Sequence, residues 1–160
     1  MARLLATAFL LISSLSLFGQ TPQAMKSNST CFVFRLKPHE DLKKALLELA
    51  RQHKWKAAAV VTCVGSLEQF HLRYANQENG SKQQGHFEIV SLTGTLSESS
   101  AHLHLSVSDS TGRTLGGHLL DDNLIYTTAE IVLVELTDVE FTREKDNTYG
   151  YSELKVKKKE

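Results

Sequence analysis

The chain has 160 residues, 41% hydrophobic and 22% charged, with Lys plus Arg and Asp plus Glu equal at 18 each. That length suits one soluble domain, and the lack of a basic excess argues against a protein held to nucleic acid mainly through phosphates. Two cysteines, Cys31 and Cys63, are too few for a disulfide framework. Each lies in an apolar run and reads as a small buried hydrophobe.

Residues 1–24 read as a leader. Arg3 precedes an apolar run over 4–18, and Gly19 offers a small residue for cleavage. This is the pattern of a signal peptide, too short for a membrane span of ~20 residues. Secretion would also suit the sequons Asn28-Ser29-Thr30 and Asn79-Gly80-Ser81. The alternative is a working start at Met25, which would leave the protein cytoplasmic or nuclear.

Residues 25–154 are the predicted domain. Residues 31–37 read as a short strand. After Pro38, Leu42, Ala45, Leu46, Leu49, Ala50 and His53 recur at helical spacing, while Glu40, Lys43, Lys44, Glu48 and Arg51 face water. Residues 57–64 form a small-apolar run, a strand buried on nearly both faces. Gly65-Ser66 breaks it. The pattern resumes over 67–75, with Leu67, Gln69, His71 and Arg73 on one side and Glu68, Phe70, Leu72 and Tyr74 on the other. Residues 76–84 are a polar loop. Strand patterning then occupies 87–96, 101–108, 115–119, 125–141 and 151–156. Residues 155–160 form a basic, solvated tail. The predicted class is α+β, a mainly antiparallel sheet flanked by a few helices.

The chemistry concentrates in residues 101–120, which carry His102, His104 and His118. Alternation sends Leu103, Leu105 and Val107 inward and His102, His104, Ser106 and Ser108 outward. Asp109-Ser110-Thr111-Gly112 supplies a hairpin turn, and Leu115-Gly116-Gly117-His118 returns the third imidazole to the first two. Gly116 and Gly117 permit a close backbone approach or a positive φ. Three neutral imidazoles with an open fourth position would make a zinc site. Histidines so spaced also occur as a hydrogen-bonded or solvated pair, and no H-E-x-x-H or C-x-x-C pattern accompanies them. Arg73 is a candidate anion-binding residue, with half of an ion pair as its alternative. Ser106, Ser108 and Asp109 lie outside any nucleophile elbow, and the apolar surroundings of Cys63 predict an inert thiol. No phosphate loop, dinucleotide fingerprint or helix-turn-helix is present.

The segments VVTCVGSLEQFHLRYA, GHFEIVSLTGTLS, AHLHLSVSDSTGRTLGGHLL and LIYTTAEIVLVEL resemble, in order and spacing, the PPC (plant and prokaryote) domain over roughly residues 31–142. The resemblance implies a compact α+β homotrimer. It implies partner-protein contacts through Gly85, His86, Phe87, Glu88, Ile89 and Val90, although His86 replaces the arginine of the relatives' G-R-F-E-I-L segment. It also implies metal binding at His102, His104 and His118. The R-G-R-P AT-hook of the plant relatives is absent, so direct DNA binding does not carry over. The leading reading is therefore a trimeric interaction module, chromatin- or transcription-associated, with a histidine metal site. The alternative is a zinc-dependent enzyme, Arg73 holding an anionic substrate and Ser106 or Glu130 supporting the site. A secreted binding protein is a third reading, carried by the leader and sequons.

Overall fold

The computed structural model describes residues 24–160, so the expected leader lies, apart from Ala24, outside the described residues. Strand β1 (Ser29–Leu36) alternates inward-packing Phe32, Phe34 and Leu36 with exposed Cys31, Val33 and Arg35. Cys31 is thus exposed rather than buried; Cys63 alone is a core thiol, and both are free. Helix α1 (Leu42–Gln52) buries Leu42, Leu46 and Ala50 completely, the centre of the predicted stripe. Asp41 caps it by accepting from the Lys44 N–H at 3.0 Å, an interaction that contributes about 1 kcal/mol. It is the one helix among the described residues, where the sequence suggested a few. None there is long and apolar enough to cross a membrane.

Strand β2 (Ala58–Arg73) runs through Gly65-Ser66 without the predicted break. Its backbone lies so close to the neighbouring strand that a Cβ on Gly65 would stand 2.0 Å from the Thr128 carbonyl oxygen. Register shifts between Val60 and Thr62, between Gly65 and Leu67 and between Leu67 and Gln69 interrupt the regular alternation. Leu67 is therefore buried together with Phe70 and Leu72, although strict alternation put it on the opposite face. The 57–64 run is also not buried on both faces, since Val61 and Val64 are exposed.

Strand β3 (Ser81–Leu96) begins inside the predicted loop, its first residues pairing with the end of β2. Then follow β4 (Ala101–Ser108), β5 (Thr114–Leu119), β6 (Leu124–Leu136), β7 (Val139–Lys145) and β8 (Ser152–Lys158). A turn at Thr137-Asp138 divides the long predicted 125–141 strand into β6 and β7. Lys155 to Lys158 pair with β7 instead of forming a free tail.

The main sheet is antiparallel, in the order β1-β6-β2-β3-β4-β5, with β7-β8 a separate pair. Strand β5 also returns to β2 through Leu72–Leu119 and Arg73–His118, closing β2 to β5 into a ring. One apolar core packs the sheet against α1, built on Trp55, Leu67, Phe70, Leu105, Ile125 and Ile131 with Leu42 and Leu46 of the helix. Buried Asn123 ties the chain after β5 to β2. Its Oδ1 accepts from the His71 N–H at 2.9 Å, and its Nδ2 donates to the carbonyls of His71 at 3.2 Å and Leu120 at 2.7 Å.

Candidate metal centre

The site begins with β4. Leu103, Leu105 and Val107 are 1–2% exposed, and burying each contributes roughly 1.5–3 kcal/mol. That burial fixes the register, since a slip of one residue would send the leucines outward. His102 and His104 are left on the outer face, as alternation predicted. The turn that follows is held by the Asp109 carboxylate, which accepts from the Thr111 hydroxyl at 2.6 Å, the Thr111 N–H at 2.8 Å and the Arg113 N–H at 3.1 Å. Those donors, Thr111 first, hold the Asp109 carboxyl below the ordinary carboxylate range. The resulting register sets His104 directly opposite His118 on β5.

One ligand nitrogen from each of His102, His104 and His118 lies within 4.8 Å of the other two. His104 Nε2 and His118 Nδ1 are 3.1 Å apart. At zinc–nitrogen distances of ~2.0–2.1 Å, tetrahedral ligands stand ~3.3 Å from each other. The His104–His118 edge is already near that spacing, and the His102 nitrogen lies within 4.8 Å of both. The donor set and geometry therefore fit a three-histidine ion. Burial, then Arg73, then the other two imidazoles push the His118 pKa down. Burial, then Arg143 and His104, do the same to His102, with Glu153 opposing. Both shifts favour the neutral imidazole, the form that ligates.

The glycine pair works by close approach. Neither Gly116 nor Gly117 has a positive φ. A Cβ on Gly117 would stand 2.7 Å from the Arg73 carbonyl oxygen, so the missing side chain is what lets β5 meet β2. That contact brings Arg73 beside His118. Arg73 and His118 together border two cavities. The larger, about 680 Å³, is also lined by His102, Lys43, Arg143 and Tyr151. The smaller, about 360 Å³, is lined by His104 and Ser106. Glu130 pairs with Arg35 on β1 and Val64 on β2 and lines neither cavity, so it does not support the histidines.

In the 85–90 segment, Phe87 and Ile89 belong to the core, 4% and 6% exposed, and Phe87 packs edge-on against Phe70. Gly85, His86, Glu88 and Val90 face outward, His86 stacking on Tyr126 at 4.0 Å between centroids. Burial pushes the Cys63 thiol up to about 12, as its apolar surroundings predicted. Sequence reasoning did not single out Arg143 and Tyr151. On β7 only Val139 is fully buried, and residues 140–143 are all half-buried without alternation, so the strand pattern held no signal for Arg143.

The family model of the Plants and Prokaryotes Conserved (PCC) domain matches residues 23–137. The bifunctional protein GlmU of two Synechococcus strains is 44% identical over 138 residues, 86% of this chain but 22% of those proteins, so the chain spans about a fifth of their length. A hypothetical protein from Salmonella enterica is similar in structure, with a TM-score of 0.83 at 37% identity, covering 85% of this chain and 99% of that one. A protein from Archaeoglobus fulgidus described as metal-containing has a TM-score of 0.72 at 22% identity, covering 83% and 99% of the two chains, and this likeness is one of fold. With all six strands of the main sheet inside the matched span, the chain belongs to the PCC domain family.

Proposed function

We propose that the chain is a homotrimeric PCC module that binds partner proteins and holds one divalent ion, zinc by its donor chemistry, on His102, His104 and His118. The observation that carries the metal is the convergence of three imidazole nitrogens from two facing strands. Imidazole suits zinc, and three such ligands leave one tetrahedral position open. A bound ion would supply Lewis acidity there. The description of the Archaeoglobus relative as metal-containing supports the same reading.

Self-association rests on the outer face of β1, β6 and β2. Register partners share a face, and there Val33 opposes Val132 while Val64 opposes Glu130. Val33 is 77% and Val64 62% exposed, apolar side chains that identical copies would cover. The match to about a fifth of GlmU supports a portable module that works alongside other domains. Partner contact falls to His86, Glu88 and Val90, the outward side chains of the 85–90 segment.

Metal analysis with sedimentation velocity tests the proposal. One zinc per chain and three chain masses are the expected result, with Val33→Asp plus Val64→Asp giving monomers. A monomeric parent at micromolar concentration overturns the trimer. An unchanged set of captured partners after His86→Ala and Glu88→Ala overturns the interaction role. A second reading, a zinc-dependent enzyme, is favoured by the larger cavity opening on His102 and His118. Zinc-loaded protein inert toward ester and phosphoester substrates would count against it.

A further inference from the structure

We infer that the cavity between β2, β5 and the β7–β8 hairpin binds a small organic anion, a molecule bearing a carboxylate or phosphate group, clamped by Arg73 and Arg143. The cavity, about 680 Å³, falls within the roughly 300–1,000 Å³ of small-molecule sites. Its lining carries three cations, Lys43, Arg73 and Arg143, against one carboxylate, Glu153. Lys43 is already paired with Asp121 at 2.9 Å. The two guanidinium groups are not so engaged. Arg73 donates to the Gln77 carbonyl at 3.2 Å and Arg143 to the Ser152 carbonyl at 3.5 Å. Neither makes an ion pair among the described residues. A guanidinium presents a planar donor fork that matches carboxylate and phosphate oxygens. Arg143 and Tyr151 lie beyond residue 137, where the family match ends. His102 and His118 line the same cavity, so an anion held by the arginines would lie near the metal-binding histidines. That last relation rests on the metal reading; the clamp does not.

Calorimetric titration of the full chain with inorganic phosphate and, separately, with benzoate, in metal-stripped and zinc-loaded protein, tests the inference. Saturable binding of at least one probe is expected, weakened about ten-fold or more by Arg143→Gln and by Arg73→Gln, as loss of a charge-assisted hydrogen bond implies. Arg143→Lys should recover part of the affinity, and Arg113→Gln, outside the cavity, should leave it unchanged. Near-parental thermal midpoints in the variants exclude misfolding as the cause. No saturable binding, or parental affinity in folded Arg143→Gln, overturns the clamp. Arginine-dependent binding that zinc does not alter sustains the clamp and counts against the metal reading. A gain on zinc loading that His104→Ala removes supports both.

Discussion

Gly117→Ala is the change that tests how backbone contact builds the site. The added Cβ would sit 2.7 Å from the Arg73 carbonyl oxygen, 3.1 Å from its carbonyl carbon and 3.4 Å from Tyr74 Cδ1. An ordinary carbon–oxygen contact is ~3.3 Å or longer, so the strands must separate by ~0.6 Å. The obstruction is backbone, and no side chain can swing away to relieve it. Overpacking of this kind costs about 1–3 kcal/mol. His118 follows in sequence and pairs with Arg73 itself, so its ring moves with the strand. A shift of ~0.6 Å exceeds the ~0.5 Å that a preorganised site tolerates, and zinc affinity should fall roughly 10–100-fold, as when a supporting group around a metal is lost. Urea unfolding of metal-free protein reads the first effect, and zinc titration against a competing chelator reads the second. Measuring stability without metal keeps the two apart, because a bound ion would itself stabilise the fold. Parental urea midpoint together with parental zinc affinity would refute the claim that a bare backbone at 117 is what joins β5 to β2.

Asn123→Ala should cost about 2–4 kcal/mol, because it removes three bonds made by a fully buried amide and takes the acceptor from the half-buried His71 N–H; a loss well under 1 kcal/mol in chemical denaturation would contradict that accounting. The lowered pKa values of His102 and His118 mean that the unfolded chain takes up protons first as pH falls. Metal-free protein should therefore lose stability as pH drops below the ordinary histidine value of about 6.5, levelling off once the folded-state values are passed. Thermal midpoints from pH 8 to 5 should show this slope reduced in His102→Gln plus His118→Gln, and an identical slope in both proteins would refute it. Cys63, with its thiol pushed up to about 12 in the core, should resist alkylation at pH 8 in native protein and react after denaturation; native labelling at Cys63 would contradict its burial.

The histidine strand was legible because its rule is local. Leu103, Leu105 and Val107 alternate with His102 and His104 without interruption, and Asp109 to Gly112 spell a turn whose chemistry needs no distant partner. The helix stripe was legible for the same reason. Strand β2 defeated the same rule. Each bulge inserts a residue that changes parity, and nothing in the order Val60-Val61-Thr62 or Leu67-Glu68-Gln69 marks where the insertion falls. Glycine was ambiguous in a related way: Gly65 resembles a strand break, yet the structure uses it for contact with Thr128. Arg143 and Tyr151 reach the cavity only because β7 and β8 leave the main sheet and border a cavity that β4 and β5 also line. That arrangement is long-range, and residues 139–158 carry no local trace of it beyond their strand pattern.

Zinc content decides the central claim most directly. The full chain should be purified without added metal, without chelator and without a histidine tag, beside the His102→Ala, His104→Ala, His118→Ala triple variant, and both assayed by mass spectrometry of the elements. One zinc per parental chain and none in the folded variant is the expected result. Metal at the level of the buffer blank in both proteins, or equal metal in both, would contradict it.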